Sequence, residues 1–318
     1  MKKLPHKKQS QPLRIEFPHY GSFTTSRTIK SRLWFANNSE LDGYNLAYLA
    51  KYREKYEINL YAFVMQGNHY HTTTAFPGCN RASFFRDLNA RIVEGVRKHV
   101  PSFEGGPLFE RRYAEQTLPT PADIEEQFFY CALQPVLAGL VEHIEDYSGY
   151  NSFYDAIWGR ERVLQIVRYG EYNSKRRSNK KAQLKDFTDT FVLKYNRLPG
   201  YEYLSQEAYA QIMFNKFELR RRLFVDEMTR SGHRFPSPKQ LRKIVPGSLP
   251  RTTKKSKRHD ARPIVLCKCP VTRNTFLTEY FSIFAAYKVA ARRYLRREEK
   301  VVFPPGTYKP PGPFVPYN

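Results

Sequence analysis

The sequence predicts an α+β domain in its first half, an antiparallel sheet with its helices mostly on one face, followed by a basic and mainly helical second half. Three observations carry this. Apolar periodicity switches between two residues and 3.6 residues in the order strand, helix, strand, strand, helix, strand, helix. The formal net charge is +23 over 318 residues, an excess that implies a polyanionic partner, most often nucleic acid and less often an anionic membrane surface. The third is the apolar run 60–65 leading into Asn68-His69-Tyr70-His71. Residues two apart on an extended strand face the same way, so His69 and His71 make a candidate pair of metal ligands while Tyr70 points into the opposite layer.

Taken in order, residues 1–18 are basic, proline-punctuated and aperiodic, and read as a flexible arm. Residues 20–29 are β-branched and alternating, a first strand that includes Arg27. Asn38-Ser39-Glu40-Leu41 supplies a helix start, and Leu46, Leu49, Tyr52 and Tyr56 recur at helical spacing. Residues 58–65 read as the second strand, Gln66-Gly67-Asn68 as a turn, and the histidine segment up to Pro77-Gly78 as the third strand. An amphipathic helix follows. Phe85, Leu88, Ile92 and Val96 form its apolar face, and Arg81, Arg86, Asn89, Arg91 and Arg97 its polar side, a candidate phosphate-contacting surface. Residues 108–115, with Arg111 and Arg112, read as another strand, and Pro119-Thr120-Pro121-Ala122-Asp123 opens a helix through Tyr130.

Tyr130 and Gln134 lie four apart and can address one target from the same helical face. Pro135 cannot continue the helical hydrogen bonding, so a break is expected there, with Gln134 exposed at the end of the turn. The four cysteines, Cys79, Cys131, Cys267 and Cys269, form neither a CxxC pair nor a disulfide framework and read as reduced thiols; C-x-C alone is a weak zinc signal. No run approaches the roughly 18 apolar residues of a membrane span, and the first residues lack a signal peptide's apolar core, so a cytoplasmic protein with no membrane partner is expected.

In the second half, 159–236 reads as a helical basic accessory region. One helix is expected through Leu184, Phe187, Phe191 and Tyr195, and another from Glu207 with Tyr209, Ile212, Met213 and Phe217 inward. Within 237–318, residues 237–262 read as a Pro-, Lys- and Arg-rich linker, Phe276, Tyr280, Phe284, Tyr287 and Leu295 as one side of a final helix, and the stretch from Phe303 as an irregular proline-rich tail.

Together the two constellations resemble a known family. Tyr61-Ala62-Phe63-Val64-Met65-Gln66-Gly67-Asn68-His69-Tyr70-His71 is similar to the signature of single-tyrosine HUH transposases. Tyr130, then Gln134-Pro135-Val136-Leu137-Ala138-Gly139-Leu140-Val141, with Asp146-Tyr147 and Asn151-Ser152-Phe153, resembles their REP-associated branch, bacterial transposase-like proteins tied to repeated palindromic elements. The agreement spans about residues 18–158. Gln134 stands where the branch usually carries Asn, although the wider family uses Gln as a ligand there. Leu137 replaces a usual Arg, and Thr72-Thr73-Thr74 replace commoner apolar residues, which predicts a more solvated strand.

The resemblance implies a ferredoxin-like HUH nuclease domain over 19–158. In it His69, His71 and Gln134 would hold Mg²⁺ or Mn²⁺, and Tyr130 would be the nucleophile forming a covalent 5′-phosphotyrosine. The implied substrate is single-stranded DNA beside a hairpin, in a bacterial, nucleoid-associated setting, with the protein a monomer or homodimer. Arg27, Arg81, Arg86, Arg91, Arg111 and Arg112 are the candidate DNA contacts. The competing readings are a catalytically silent, domesticated DNA-binding descendant and, on charge alone, a metal-free RNA-binding protein.

Overall fold

The structure, a computed structural model, describes residues 13–250 and 263–312. Residues 1–12 of the expected arm, 251–262 of the expected linker and 313–318 of the expected tail lie outside the described residues.

Strand β1 (Gly21–Arg27) leads to helix α1 (Ser39–Lys55), then to the hairpin β2 (Asn59–Gln66) and β3 (His69–Ala75). Helix α2 (Arg81–His99), β4 (Ala114–Leu118) and α3 (Pro121–Ala132) follow. The strands form one antiparallel sheet in the order β2-β3-β1-β4, the ferredoxin-like arrangement of a βαββαβ unit. Local chemistry sets the boundaries. The Asn38 side chain accepts from Leu41 N at 2.9 Å to cap α1, whose first turn carries Glu40 and whose last carries Arg53 and Lys55, matching the helix dipole. Thr120 and Asp123 form a capping box on α3, with Pro121 in its first turn.

Alternation on β3 assigns the faces. Tyr70 is fully buried, its hydroxyl donating to Asn89 Oδ1 on α2 at 2.6 Å and accepting from Ser26 at 3.0 Å. Asn45 on α1 reaches Met65 on β2, directly opposite Tyr70. The two long helices thus share one face, as expected. Helix α3 does not join them. Thr73 donates to Gln127 O and Cys131 to His71 O, so α3 covers the histidine face. Gly21 permits that approach, since a Cβ there would sit 2.6 Å from Ile124 Cγ1 of α3.

Several expectations are corrected. The strand expected over 108–115 begins only at Ala114, because residues 108–113 are held by isolated contacts such as the Thr28–Phe109 bridge. Thr72, Thr73 and Thr74 are fully buried rather than solvated, because helices cover both faces. The described end of the 1–18 segment is packed, not a free arm. Ile15 and Phe17 are buried, and the Glu16 carboxylate accepts from the N–H groups of Arg81 and Ala82 at the start of α2.

Beyond α3 come the single turn α4 (Gln134–Leu137), α5 (Phe153–Trp158), β5 (Arg162–Val167), α6 (Tyr169–Ser178) and β6 (Thr188–Leu193). The helix expected through Leu184 and Phe191 is a 3-10 turn followed by β6, which pairs antiparallel with β5 and places Phe191 under Lys51 of α1. Helix α7 (Gln206–Arg230) buries Tyr209, Met213 and Phe217 as expected. The short α8 (Pro238–Leu241) interrupts the expected linker, and α9 (Pro270–Leu295) packs Phe276 and Tyr280 against Phe17 and the Leu13 carbonyl.

The apolar core continues past Trp158. Phe153 stacks on Phe217 with ring centroids 4.1 Å apart, and Asn196 bonds both the N–H and the C=O of Leu60. Both sheet edges are covered, β2 by 150–152 and Asn196, β4 by 264–266 running parallel to Thr117. Covered edges do not recruit foreign strands.

Candidate active site

His69 and His71 project together on the histidine face, ring centroids 4.8 Å apart and planes nearly perpendicular. Each ring is held from behind by an oxygen. Thr25 Oγ1, directly opposite His71 on β1, lies 2.7 Å from its Nδ1, and Asn68 Oδ1 lies 2.5 Å from His69 Nδ1. Engagement of both Nδ1 atoms leaves Nε2 as the ligating position of each ring, and oxygen partners of this kind orient imidazoles around metals. Phe23 stacks on His71 at 5.2 Å with planes 14° apart, fixing that ring from a third side.

Burial pushes His69 down from 6.5 to about 3, with the nearby Arg27 charge adding to the effect and a hydrogen bond to Gln134 opposing it. His69 is therefore a neutral imidazole at physiological pH, the form a metal needs.

Tyr130 comes from the last turn of α3. Its ring meets Phe23 and His71 edge-on, centroids 5.5 and 6.0 Å away, yet it remains 43% exposed. Helix α3 ends at Ala132, two residues before Pro135's immediate neighbour, as the missing proline N–H requires. The expected exposure of Gln134 is corrected: it is 7% exposed, because its amide donates to the Tyr130 carbonyl and its side chain meets His69. His69, His71, Tyr130 and Gln134 are thus brought together from β3, α3 and the α3–α4 break.

The donor set of two imidazoles and one amide oxygen, with outer oxygens already on both rings, fits a single divalent cation. Among the described residues no cluster of three or more His, Cys, Asp or Glu side chains could hold one. All four cysteines are free.

The arginines separate. Arg27 is half-buried on β1 opposite His69 and belongs to the site. Arg81 is corrected: it is 4% exposed, paired with Glu115 at 3.1 Å and donating to Ile15 O, so it locks the first residues to α2 instead of facing a ligand. Arg86 pairs with Asp87, and Arg91 pairs with Glu94 while stacking on Tyr48; both are on α2, across the sheet from the histidines. Arg111 and Arg112 are exposed just before β4. Sequence reading missed Thr25, Phe23 and Gln66, whose places depend on cross-strand register.

No family model matches the chain, and no curated protein matches it in sequence. Among solved structures it is similar to a REP-associated tyrosine transposase bound to a REP hairpin, at 15% identity and a TM-score of 0.39 over 46% of this chain and 84% of that one. It is also similar to tRNA(His) guanylyltransferase from Saccharomyces cerevisiae, at 12% identity and a TM-score of 0.31 over 49% of this chain and 70% of that one. Likenesses this low carry no functional argument, and what the site can do follows from its own side chains.

Proposed function

We propose that this protein is a metal-dependent single-stranded DNA endonuclease and strand transferase acting through a covalent 5′-phosphotyrosine at Tyr130. The observation that carries the reading is an exposed tyrosine ring set against a buried pair of oriented histidines, with Gln134 bonded to both sides of the arrangement. His69, His71 and Gln134 would hold Mg²⁺ or Mn²⁺, which when bound supplies Lewis acidity at the scissile phosphate.

The chain's own residues do the rest. Phe23 and His71 fix the Tyr130 ring while its exposed side admits a strand. The phenol oxygen attacks phosphorus, its proton leaves to solvent, and the P–O3′ bond breaks, the leaving oxygen taking a proton from solvent to become a 3′-hydroxyl. Attack by another 3′-hydroxyl on the phosphotyrosine restores the phenol and joins strands without a nucleotide cofactor. The net charge of +23 suits a polyanionic strand, since Lys and Arg track phosphates while exposed aromatics stack on bases.

The test is incubation with Mn²⁺ and end-labelled single-stranded DNA carrying hairpins. A covalent adduct is expected, absent in Tyr130→Phe and in His69→Ala, with DNA retention preserved in Tyr130→Phe. Retention without adduct on every such substrate would overturn the enzymatic reading in favour of a DNA-binding protein.

A further inference from the structure

Three side chains stand abreast across the sheet at its turn end. Gln66 on β2 is directly opposite His69 on β3, which is directly opposite Arg27 on β1. Directly paired residues of antiparallel strands project to the same face, so Gln66 and Arg27 flank His69 on the side that carries His71 and Tyr130.

Both flanking groups carry a buried donor with no acceptor among the described residues. Gln66 is 3% exposed, and neither its Nε2 nor Arg27 Nε finds a hydrogen-bond acceptor among the described residues. A buried N–H without an acceptor is destabilising, and such groups are rare in folded proteins. The partnerless buried hydroxyl of Thr72 is not part of this row, since alternation on β3 turns it to the other face. The Gln66 backbone is not free to drift: Tyr147 donates to the adjacent Met65 carbonyl at 2.8 Å, and Gln66 and His69 flank the two-residue Gly67-Asn68 turn.

We propose that Gln66 Nε2 and Arg27 Nε form an anion seat beside the histidine pair, receiving the non-bridging oxygens of the phosphodiester presented to Tyr130. This rests on the reading of the Tyr130 face as the strand-binding site. The two N–H donors stand one on either side of His69, and the two non-bridging oxygens of a phosphodiester offer an acceptor to each. Arg27 adds the charge, and Gln66 adds direction without charge. The seat acts whether or not a cation is bound.

The test uses the full chain in EDTA with single-stranded oligothymidylate as the probe, so that no metal chemistry enters. The Gln66 side-chain amide and Arg27 Nε–H resonances, assigned through Gln66→Leu and Arg27→Met, should shift saturably with the oligonucleotide. Each substitution should weaken its binding by about tenfold or more, the loss expected for a hydrogen bond to a charged acceptor. Gln66→Leu changes no charge, so the salt dependence of binding should keep its wild-type slope while the affinity falls. Its melting temperature should equal or exceed that of the wild type, because a partnerless donor has been removed from the interior. Unshifted resonances, or wild-type affinity in Gln66→Leu, would overturn the seat. A Tyr130 adduct forming normally in Gln66→Leu would overturn it too while leaving strand transfer standing. Saturable shifts in a protein that never forms an adduct would keep the seat and remove the chemistry.

Discussion

Thr25 Oγ1 lies 2.7 Å from His71 Nδ1, across the β1–β3 ladder. With the threonine oxygen as acceptor, the proton sits on Nδ1 and the Nε2 lone pair faces the site. Thr25→Val keeps the shape of the strand and removes the acceptor. Mn²⁺ affinity should fall about 10- to 100-fold, the usual cost of an outer-shell partner. Calorimetric titration of both proteins checks it, and equal affinities would show that Phe23 stacking alone orients the ring.

A second prediction concerns pH. Burial pushes the Asp42 carboxyl of α1 up from 3.8 to about 7, and its Oδ1 has no hydrogen-bond partner among the described residues. Between those two values the folded state keeps a proton that the unfolded chain has lost. Stability therefore declines as pH rises through the window, by at most about 1.4 kcal/mol per pH unit. Asp42→Asn cannot titrate, so its melting temperature should overtake that of the wild type as pH climbs towards 8. Melting curves that stay parallel from about pH 4 to about pH 8 would refute it.

Arg81 and Arg86 both looked like phosphate contacts and should behave oppositely. Arg81→Met strands the buried Glu115 carboxylate and should cost about 3–5 kcal/mol. Arg86→Ala removes an exposed, solvent-screened partner of Asp87 and should leave the urea midpoint essentially where it is in the wild type. Urea titration of each variant measures both.

Tyr70→Phe leaves Asn89 and Ser26 facing a site with no hydroxyl. About 1–3 kcal/mol of stability should be lost, with any Tyr130 adduct yield per folded molecule unchanged, because Tyr70 faces away from the histidines. A matching loss of adduct would mean that the two faces of the sheet are coupled.

The order of the first seven elements was legible because their signals are local: alternation in 69–75, helical spacing in 81–99, caps at Asn38 and Thr120, and a proline three residues past the end of α3. The inward turn of Tyr70 followed from the same alternation. What escaped depends on partners distant in sequence. Arg81 resembles any solvated helix arginine until Glu115 is placed beside it, and Gln134 seems exposed until His69 is there to receive it. Leu184, Phe187, Phe191 and Tyr195 happen to fit a helical spacing, but Thr188, Thr190 and Val192 between them favour a strand, which pairing with β5 completes. Thr25 and Gln66 could be found only by knowing which residues the strands set opposite the histidines.

The stacking of Phe153 on Phe217, and the clasp of Asn196 on Leu60, also has a genetic meaning. A frameshift or stop codon just beyond Trp158 would spare every codon of the histidine, tyrosine and glutamine set. The shortened product would nevertheless expose Phe153 to water and strip Asn196 from Leu60, uncovering that end of the β2 edge. In a decaying copy of this gene, intact motifs would therefore outlast a working protein, and the reading frame of the second half is the better sign of a functional one.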